Sequence, residues 1–101
     1  MLVYGEIDDR EAFGAYASAI AESGLYETNR GLYEATTPAL EVFEGDPPPN
    51  RGVVIARFPC LEAAQSFWYS DEYAKIRPLR AGISRFEVLV LPAPPLPPWA
   101  E

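Results

Sequence analysis

Four short apolar segments along the chain predict β-strands, at residues 2–7, 32–36, 53–58 and 85–91. Residues 40–44 are predicted to continue the second strand, which is interrupted at Thr37-Pro38. Because a proline cannot donate a hydrogen bond within a sheet, this strand is expected to lie at an edge of the sheet or to carry a bulge. The proline-rich segment 46–52 then forms a stiff hairpin loop that leads into the third strand.

The segment after the first strand has the spacing of an amphipathic helix, with apolar residues at positions 13, 16, 17 and 20. Asp8 and Glu11 stand three residues apart before it, as in a capping box that begins a helix. The helix is expected to continue past Gly24 and to end near Gly31, because a glycine commonly follows the last turn of a helix.

A second helical segment covers about residues 61–80 and is expected to break near Ser70, because serine is a favourable helix cap. The predicted element order is β-α-β-β-α-β, the order of an α+β ferredoxin-like fold with a four-stranded, mostly antiparallel sheet. Residues 1–91 are expected to form this one domain. Residues 92–101, half of which are prolines, are expected to form an extended tail that ends near Trp99.

The third predicted strand is almost wholly apolar, and a strand of this kind is usually covered on both faces. In the ferredoxin-like order, two helices cover only one face of the sheet. The other face would expose apolar side chains that include some of Val53, Ile55, Leu89 and Leu91. Because monomers rarely expose a large apolar patch, we expect a homodimer in which two sheets pack face to face.

The composition argues against several classes of function. A net charge of −7 disfavours nucleic acid and anionic membranes as partners. The chain has no histidine and one cysteine, so it lacks the commonest general base and the commonest metal ligand. We therefore expect neither a metal nor a cofactor. The sequence shows no signal peptide and no apolar run of transmembrane length, and a cytoplasmic location is expected.

Three stretches of the chain carry a family resemblance: residues 40–46, residues 53–73, and residues 77–80 with the apolar strand that follows. The middle stretch contains Phe-Pro-x-x-Glu-Ala-Ala and Tyr-Ser-x-Glu-Tyr. Together they resemble the bacterial domains of unknown function called DUF1330, over about residues 2–91. The resemblance implies a dimeric α+β barrel, a superfamily that includes cyclases, isomerases and monooxygenases. Cys60 departs from the family pattern, which usually has a small hydroxyl residue there, and we expect a half-buried and unreactive thiol.

Three charged residues near predicted strand ends are candidate catalytic groups: Glu6, Arg57 and Glu87. With the first strand parallel to the third and antiparallel to the fourth, all three are expected at one end of the sheet, and Glu6 shares a face with Tyr4. Two carboxylates beside one guanidinium could hold an anionic or carbonyl substrate, and one carboxylate could act as a base. The alternative is a structural ion-pair cluster. In a buried cluster, Arg57→Ala would destabilise the fold by roughly 3–5 kcal/mol.

Three consecutive aromatic residues end at Tyr69, and they cannot all face the core from one helix. Trp68 is a candidate wall of a substrate pocket between helix and sheet, to which Tyr69 or Tyr73 would offer a hydroxyl group. Arg77 and Arg80 could bring positive charge to the mouth of that pocket. The alternatives are core and dimer packing for the aromatic residues, and pairing with surface acids for the arginines.

Two functions remain open. The first, favoured by the superfamily resemblance, is a cofactor-independent enzyme that performs proton transfer on a small hydrophobic or aromatic substrate, such as cyclisation, isomerisation or dehydration. The second is a non-catalytic dimer that binds a small ligand or assists another enzyme. An open cavity with an unpaired carboxylate or tyrosine hydroxyl at its base would favour the enzyme. Charges that are satisfied by ion pairs would favour the binding protein, and a purely structural dimer is a third possibility.

Overall fold

The computed structural model describes residues 1–36, 41–94 and 98–100. The strands are β1 (Leu2–Ile7), β2 (Leu32–Thr36), β3 (Arg51–Arg57) and β4 (Ser84–Leu89). The helices are α1 (Arg10–Ser23), α2 (Leu25–Thr28), α3 (Leu61–Trp68) and α4 (Asp71–Ile76), with 3₁₀ turns at Arg77–Arg80 and Pro98–Ala100. This arrangement confirms the predicted α+β class.

The four strands lie in the order β2-β3-β1-β4, and each neighbouring pair is antiparallel, as in a ferredoxin-like sheet. The prediction that the first and third strands run parallel is therefore wrong. The chain returns through α1 to begin β2 in the direction of β1, and it then reverses before β3. As a result β3 lies beside β1 in the opposite direction, so Leu2 pairs with Ile55 and Glu6 pairs with Arg51.

Helix α1 begins one residue later than predicted and ends earlier. Its N-cap is Asp9 rather than Asp8, and the Asp9 carboxylate accepts a hydrogen bond of 3.0 Å from the backbone N–H of Ala12. The helix ends at Ser23 because Gly24 adopts the left-handed conformation, with φ of 68°. The short helix α2 follows directly, so the expectation of one helix continuing past Gly24 is wrong.

The other predicted boundaries hold to within a few residues. Strand β2 lies at a sheet edge, and its pairing with β3 shifts between Tyr33 and Ala35, as the predicted edge position or bulge required. Residues 41–44 are not in a strand, which corrects the predicted continuation, and Thr37-Pro38 lies outside the described residues. The break in the second helical segment is confirmed, because the Ser70 hydroxyl accepts a 3.0 Å hydrogen bond from the Tyr73 N–H. Within the tail, Trp99 lies in a 3₁₀ turn rather than in extended chain.

The helices cover one face of the sheet, here called the inner face, and the core lies between the helices and this face. Ala56 of β3 is buried there, together with Phe67 and Tyr73, which are the largest fully buried side chains. The rings of Phe67 and Tyr73 lie 5.2 Å apart. Close packing extends to the backbone of β1, where a Cβ atom on Gly5 would lie 1.9 Å from the carbonyl oxygen of Arg85. Only glycine fits at that position.

The opposite face of the sheet, here called the outer face, exposes apolar side chains. Period-2 alternation places Tyr4, Ile55 and Leu89 on this face, where 38%, 41% and 44% of each side chain is accessible. Leu91 continues beyond β4 and is 62% accessible, whereas Val53 is half-buried. The predicted exposed apolar patch is therefore present in the described chain.

Candidate ligand-binding cleft

A cleft of about 1130 Å³ lies at the end of the sheet where β3 meets α3. One wall comes from β2 and β3, a second from the start of α3, and a third from the segment that follows β4. Most lining residues are apolar; they include Leu2, Leu32, Ile55, Phe58, Pro59, Leu61, Ala64, Val90, Leu91 and Pro92. The volume is slightly above the range of about 300–1,000 Å³ that is typical of small-molecule pockets, and the mostly apolar lining is typical of them.

Charged side chains lie at the β2–β3 wall of the cleft. The Nε atom of Arg57 donates to Oε1 of Glu34 at 2.6 Å. The register explains this contact, because Arg57 pairs with Leu32 and the irregularity in β2 lies next to Glu34. Arg30 also lines the cleft. The N-terminal residue Met1 lines the cleft as well, and its ammonium group interacts with the charges of Glu34 and Arg57. Three cationic residues therefore share this end of the cleft with one carboxylate, which makes it electropositive on a chain whose net charge is −7.

A smaller compartment of about 210 Å³ adjoins the cleft, between α3 and β4. It shares Met1, Leu61, Ala64 and Val90 with the cleft and is also lined by Gln65, Trp68, Tyr69 and Val88. Trp68 and Tyr69 therefore lie where the sequence predicted a pocket wall, between a helix and the sheet. Tyr69 is 78% accessible, so its hydroxyl group lies towards solvent rather than at the base of a closed pocket.

The predicted cluster of Glu6, Arg57 and Glu87 does not form. Because β1 and β3 are antiparallel, Glu6 and Arg57 lie at opposite ends of the sheet. The Glu6 carboxylate instead forms an ion pair with Arg85 at 3.2 Å, and Arg85 also forms an ion pair with Asp8. The expectation that these three groups share one end of the sheet was wrong because it gave β1 and β3 the same direction, although the helical crossover and the hairpin that join them reverse β3.

Glu87 lies in the middle of the outer face, directly opposite Tyr4 on β1. A hydrogen bond to the Glu87 carboxylate and its negative charge raise the pKa of the Tyr4 hydroxyl. On the same face Glu87 lies between Arg85 and Leu89 along β4, and Arg57 is not one of its partners.

Tyr73 and Arg80 come together in a different place, between α1 and α4. The hydroxyl groups of Tyr16 and Tyr73 lie 2.8 Å apart, and the Arg80 guanidinium stacks 5.6 Å from the ring centre of Tyr16 and 5.5 Å from that of Phe86. Burial raises the pKa of Tyr16, so its hydroxyl group stays protonated well above neutral pH. Tyr73 is only 2% accessible, and this arrangement is a packed polar network rather than an open site.

Arg77 lies next to this network, with its guanidinium 5.0 Å from the ring centre of Trp68. Trp68 also packs against Tyr73, with 5.0 Å between the ring centres. The indole ring therefore contacts both a cation and an aromatic ring. Arg77 and Arg80 serve aromatic packing here, and neither of them lines the cleft or the compartment.

Sequence reasoning missed three residues that matter in these sites. Tyr16 was identified only as part of an apolar helix face, although its hydroxyl group is the partner of Tyr73. Glu34 and Arg30 were not singled out, because nothing in the spacing along the chain links them to Arg57. Cys60 was expected to be half-buried, but it is exposed at the start of α3 and lines the cleft.

A comparison with protein families shows to which family this chain belongs. Residues 1–94 match the family of domains of unknown function DUF1330. The chain belongs to this family. A search of curated proteins finds no match. The family assignment confirms the resemblance seen in the sequence, and it assigns no activity.

Two features are absent from the part of the chain that the structure describes. Across residues 1–36, 41–94 and 98–100, no group of three or more acidic or cysteine side chains is placed to hold a metal ion. In the same part of the chain, no helix is both long and apolar enough to cross a membrane.

Proposed function

We propose that this DUF1330 protein is a homodimeric binding protein for a small apolar molecule that carries an acid group. The observation that carries the proposal is the cleft itself, which is mostly apolar but is also lined by Arg30 and by the ion pair of Arg57 with Glu34. Apolar surface supplies binding free energy, and a guanidinium group recognises a carboxylate by paired hydrogen bonds.

The geometry favours binding over catalysis. A general base must lie within hydrogen-bond reach of the proton that it removes. Among the described residues that line the cleft, the carboxylate is Glu34, and it is bonded to Arg57. Tyr73 and Glu6, which were candidate proton-transfer groups, lie outside the cleft and have other partners.

The ion pair between Arg57 and Glu34 also supports the cofactor-independent enzyme as a second candidate. An acid ligand that binds Arg57 would compete with Glu34 for the same guanidinium group, and the released Glu34 carboxylate would then face the ligand. Proton transfer by Glu34 would show as deuterium exchange into the ligand in heavy water, and Glu34→Gln would abolish it. If the ligand binds but exchanges no deuterium, the enzyme candidate is wrong and the binding function remains.

The second copy of the chain is assigned to the outer face. Tyr4, Ile55 and Leu89 are exposed there, and a face-to-face dimer would remove them from water. Leu2 and Ile55 lie on the outer face and also line the cleft. A partner that covers this face would therefore close one side of the cleft, which links dimer formation to ligand binding.

The single cysteine of the chain provides the test, because Cys60 is exposed and lines the cleft. The rate of Cys60 labelling by a thiol reagent is measured with octanoate and with octanamide, its uncharged analogue. We expect octanoate to slow the labelling and octanamide to slow it much less. Isothermal titration calorimetry with octanoate gives an independent dissociation constant.

Two matched variants make the test specific. Arg57→Gln removes the guanidinium group in the cleft and is expected to abolish the preference for the acid. Arg85→Gln removes another paired arginine at the opposite end of the sheet and is expected to leave the preference unchanged. If neither calorimetry nor labelling detects octanoate, the proposed function is wrong.

A further inference from the structure

We infer that the ligand is an acid with a single aromatic ring, and that its ring enters the compartment beside Trp68 while its acid group stays in the larger cleft. This inference rests on the proposed binding function. It deepens that function by dividing the site into a part for the ring and a part for the charge.

The size of the compartment suits one ring. Its volume is about 210 Å³, and it opens into the cleft along Leu61, Ala64 and Val90. A dry protein cavity of about 150 Å³ is large enough to bind benzene. One ring with a short side chain therefore fits, and the side chain can extend past Leu61 into the cleft.

The chemistry of the compartment suits an aromatic group. Trp68 forms part of its wall, and the indole ring contacts the Arg77 guanidinium and the ring of Tyr73, each 5.0 Å from its centre. A wall held in this way loses little conformational entropy when a ligand packs against it. Aromatic rings also attract each other in edge-to-face or offset arrangements, which adds to the free energy of burial.

The acid group is expected to stay outside the compartment. The lining side chains there are apolar, aromatic or, in Gln65, neutral. Met1 also lines the compartment, but its N-terminal ammonium already donates to the carbonyl oxygen of Ala56 at 2.6 Å, and a carboxylate without a free cationic partner is costly to bury. Arg57 and Arg30 lie in the adjoining cleft instead. The two parts of the site therefore fix the orientation of the ligand, with its ring towards Trp68 and its acid group towards Arg57.

The test compares phenylacetate with octanoate, which has the same number of carbon atoms and no ring. The Trp99→Phe variant is used because Trp99 is 86% accessible and its removal leaves Trp68 as the single tryptophan. We expect phenylacetate to change the fluorescence of Trp68 and to bind about fivefold more tightly than octanoate.

Ala64→Leu provides the decisive variant, because Ala64 lies on the boundary of the compartment and a leucine would fill it. We expect about a tenfold loss of affinity for phenylacetate and less than about a twofold loss for octanoate. Ala74→Leu is the matched control on α4; it makes the same change at an exposed position and should alter neither affinity. Because Ala64 is buried, Tyr69→Ala is a second variant at an exposed part of the same wall, and it should weaken phenylacetate selectively.

The outcomes separate this inference from the function on which it rests. If octanoate protects Cys60 and phenylacetate binds no more tightly, with no response from Trp68 or from either compartment variant, the ring site is wrong and the binding function stands. If neither acid binds, the proposed function fails and this inference fails with it.

Discussion

The inner and outer faces of the sheet are built from alternating residues of the same strands, yet the inner face is buried and the outer face is exposed. On β3, Ala56 faces the helices and is 2% accessible, whereas its neighbour Ile55 faces outward and is 41% accessible. The polar groups of the inner side are satisfied within the helix layer, as Tyr16 and Tyr73 show. The outer face instead combines exposed apolar side chains with ion pairs at its two ends.

Because of this difference, we expect the inner face to determine the stability of the fold and the outer face to determine assembly and ligand binding. The inner face is closed by the chain itself, so substitutions there should act on the free energy of unfolding. The outer face is left open by the described elements and borders the cleft through Leu2 and Ile55. Substitutions there should act on assembly and binding, with smaller effects on the folding of one copy.

The largest effect is expected from Phe67→Ala in the inner-face core. Phe67 is 2% accessible, and truncation of a fully buried phenylalanine costs about 3–5 kcal/mol of stability. Phe43→Ala makes the same change at a residue that is 92% accessible and should be nearly neutral. Urea unfolding of both variants measures the difference, and equal losses would contradict the assignment of the core.

The second effect concerns the proposed dimer. Ile55→Asp places a charge on the outer face next to the cleft, where a partner would have to desolvate it. We expect the dimer dissociation constant to rise by about a hundredfold, measured by sedimentation equilibrium. Leu79→Asp puts the same charge on an exposed apolar residue of the 3₁₀ turn and should leave the dimer intact. A wild-type chain that stays monomeric at high concentration would refute the dimer.

The third effect is a loss of stability at alkaline pH that originates in the inner layer. Burial raises the pKa of Tyr16 and Tyr26 in the folded chain, whereas an unfolded tyrosine ionises near pH 10. Both phenols therefore favour the folded state fully below about pH 10, and this contribution is lost as the pH rises further.

Tyr16→Phe tests the origin of that loss. It should cost about 1 kcal/mol at pH 7 through the hydrogen bond to Tyr73 and should make unfolding less sensitive to pH above about 10. Urea unfolding at a series of alkaline pH values checks both expectations. Tyr69→Phe, at a residue that is 78% accessible, is the control, and a pH dependence that Tyr16→Phe leaves unchanged would assign the effect to other groups.

The smallest effect is expected from Arg57→Ala on stability. Arg57 and Glu34 are 38% and 37% accessible, and an exposed ion pair contributes about 0–1 kcal/mol. The larger cost expected for a buried cluster does not apply here. Thermal unfolding should therefore change little while binding of an acid ligand is lost, and a large drop in the melting temperature would show that the pair supports the fold.

Local features of the fold were predictable where neighbouring residues determine them. Period-2 alternation in β1 and β3, helical spacing after Asp9 and the cap at Ser70 all depend on residues within a few positions of one another. The exposed apolar face was predictable for a related reason, since the element order supplies helices for only one side of the sheet.

The candidate site was less predictable because its residues meet through the path of the whole chain. Arg57 was identified as a candidate, but its partner is Glu34 on the edge strand rather than Glu6 or Glu87. Tyr73 was also identified, but the helix packing that brings Tyr16 to it could not be inferred from either segment alone.

The sequence by itself determined which residues form strands and helices, which side of each strand is apolar, and the family to which the chain belongs. Only the tertiary structure decided the partners of the charged groups and the position of the cleft. The physical reason is that the face of a side chain is set by its neighbours along the strand, whereas its partners come from elements that are distant in the sequence. Arg57 therefore pairs with Glu34 on the edge strand, although the two residues lie 23 positions apart along the chain.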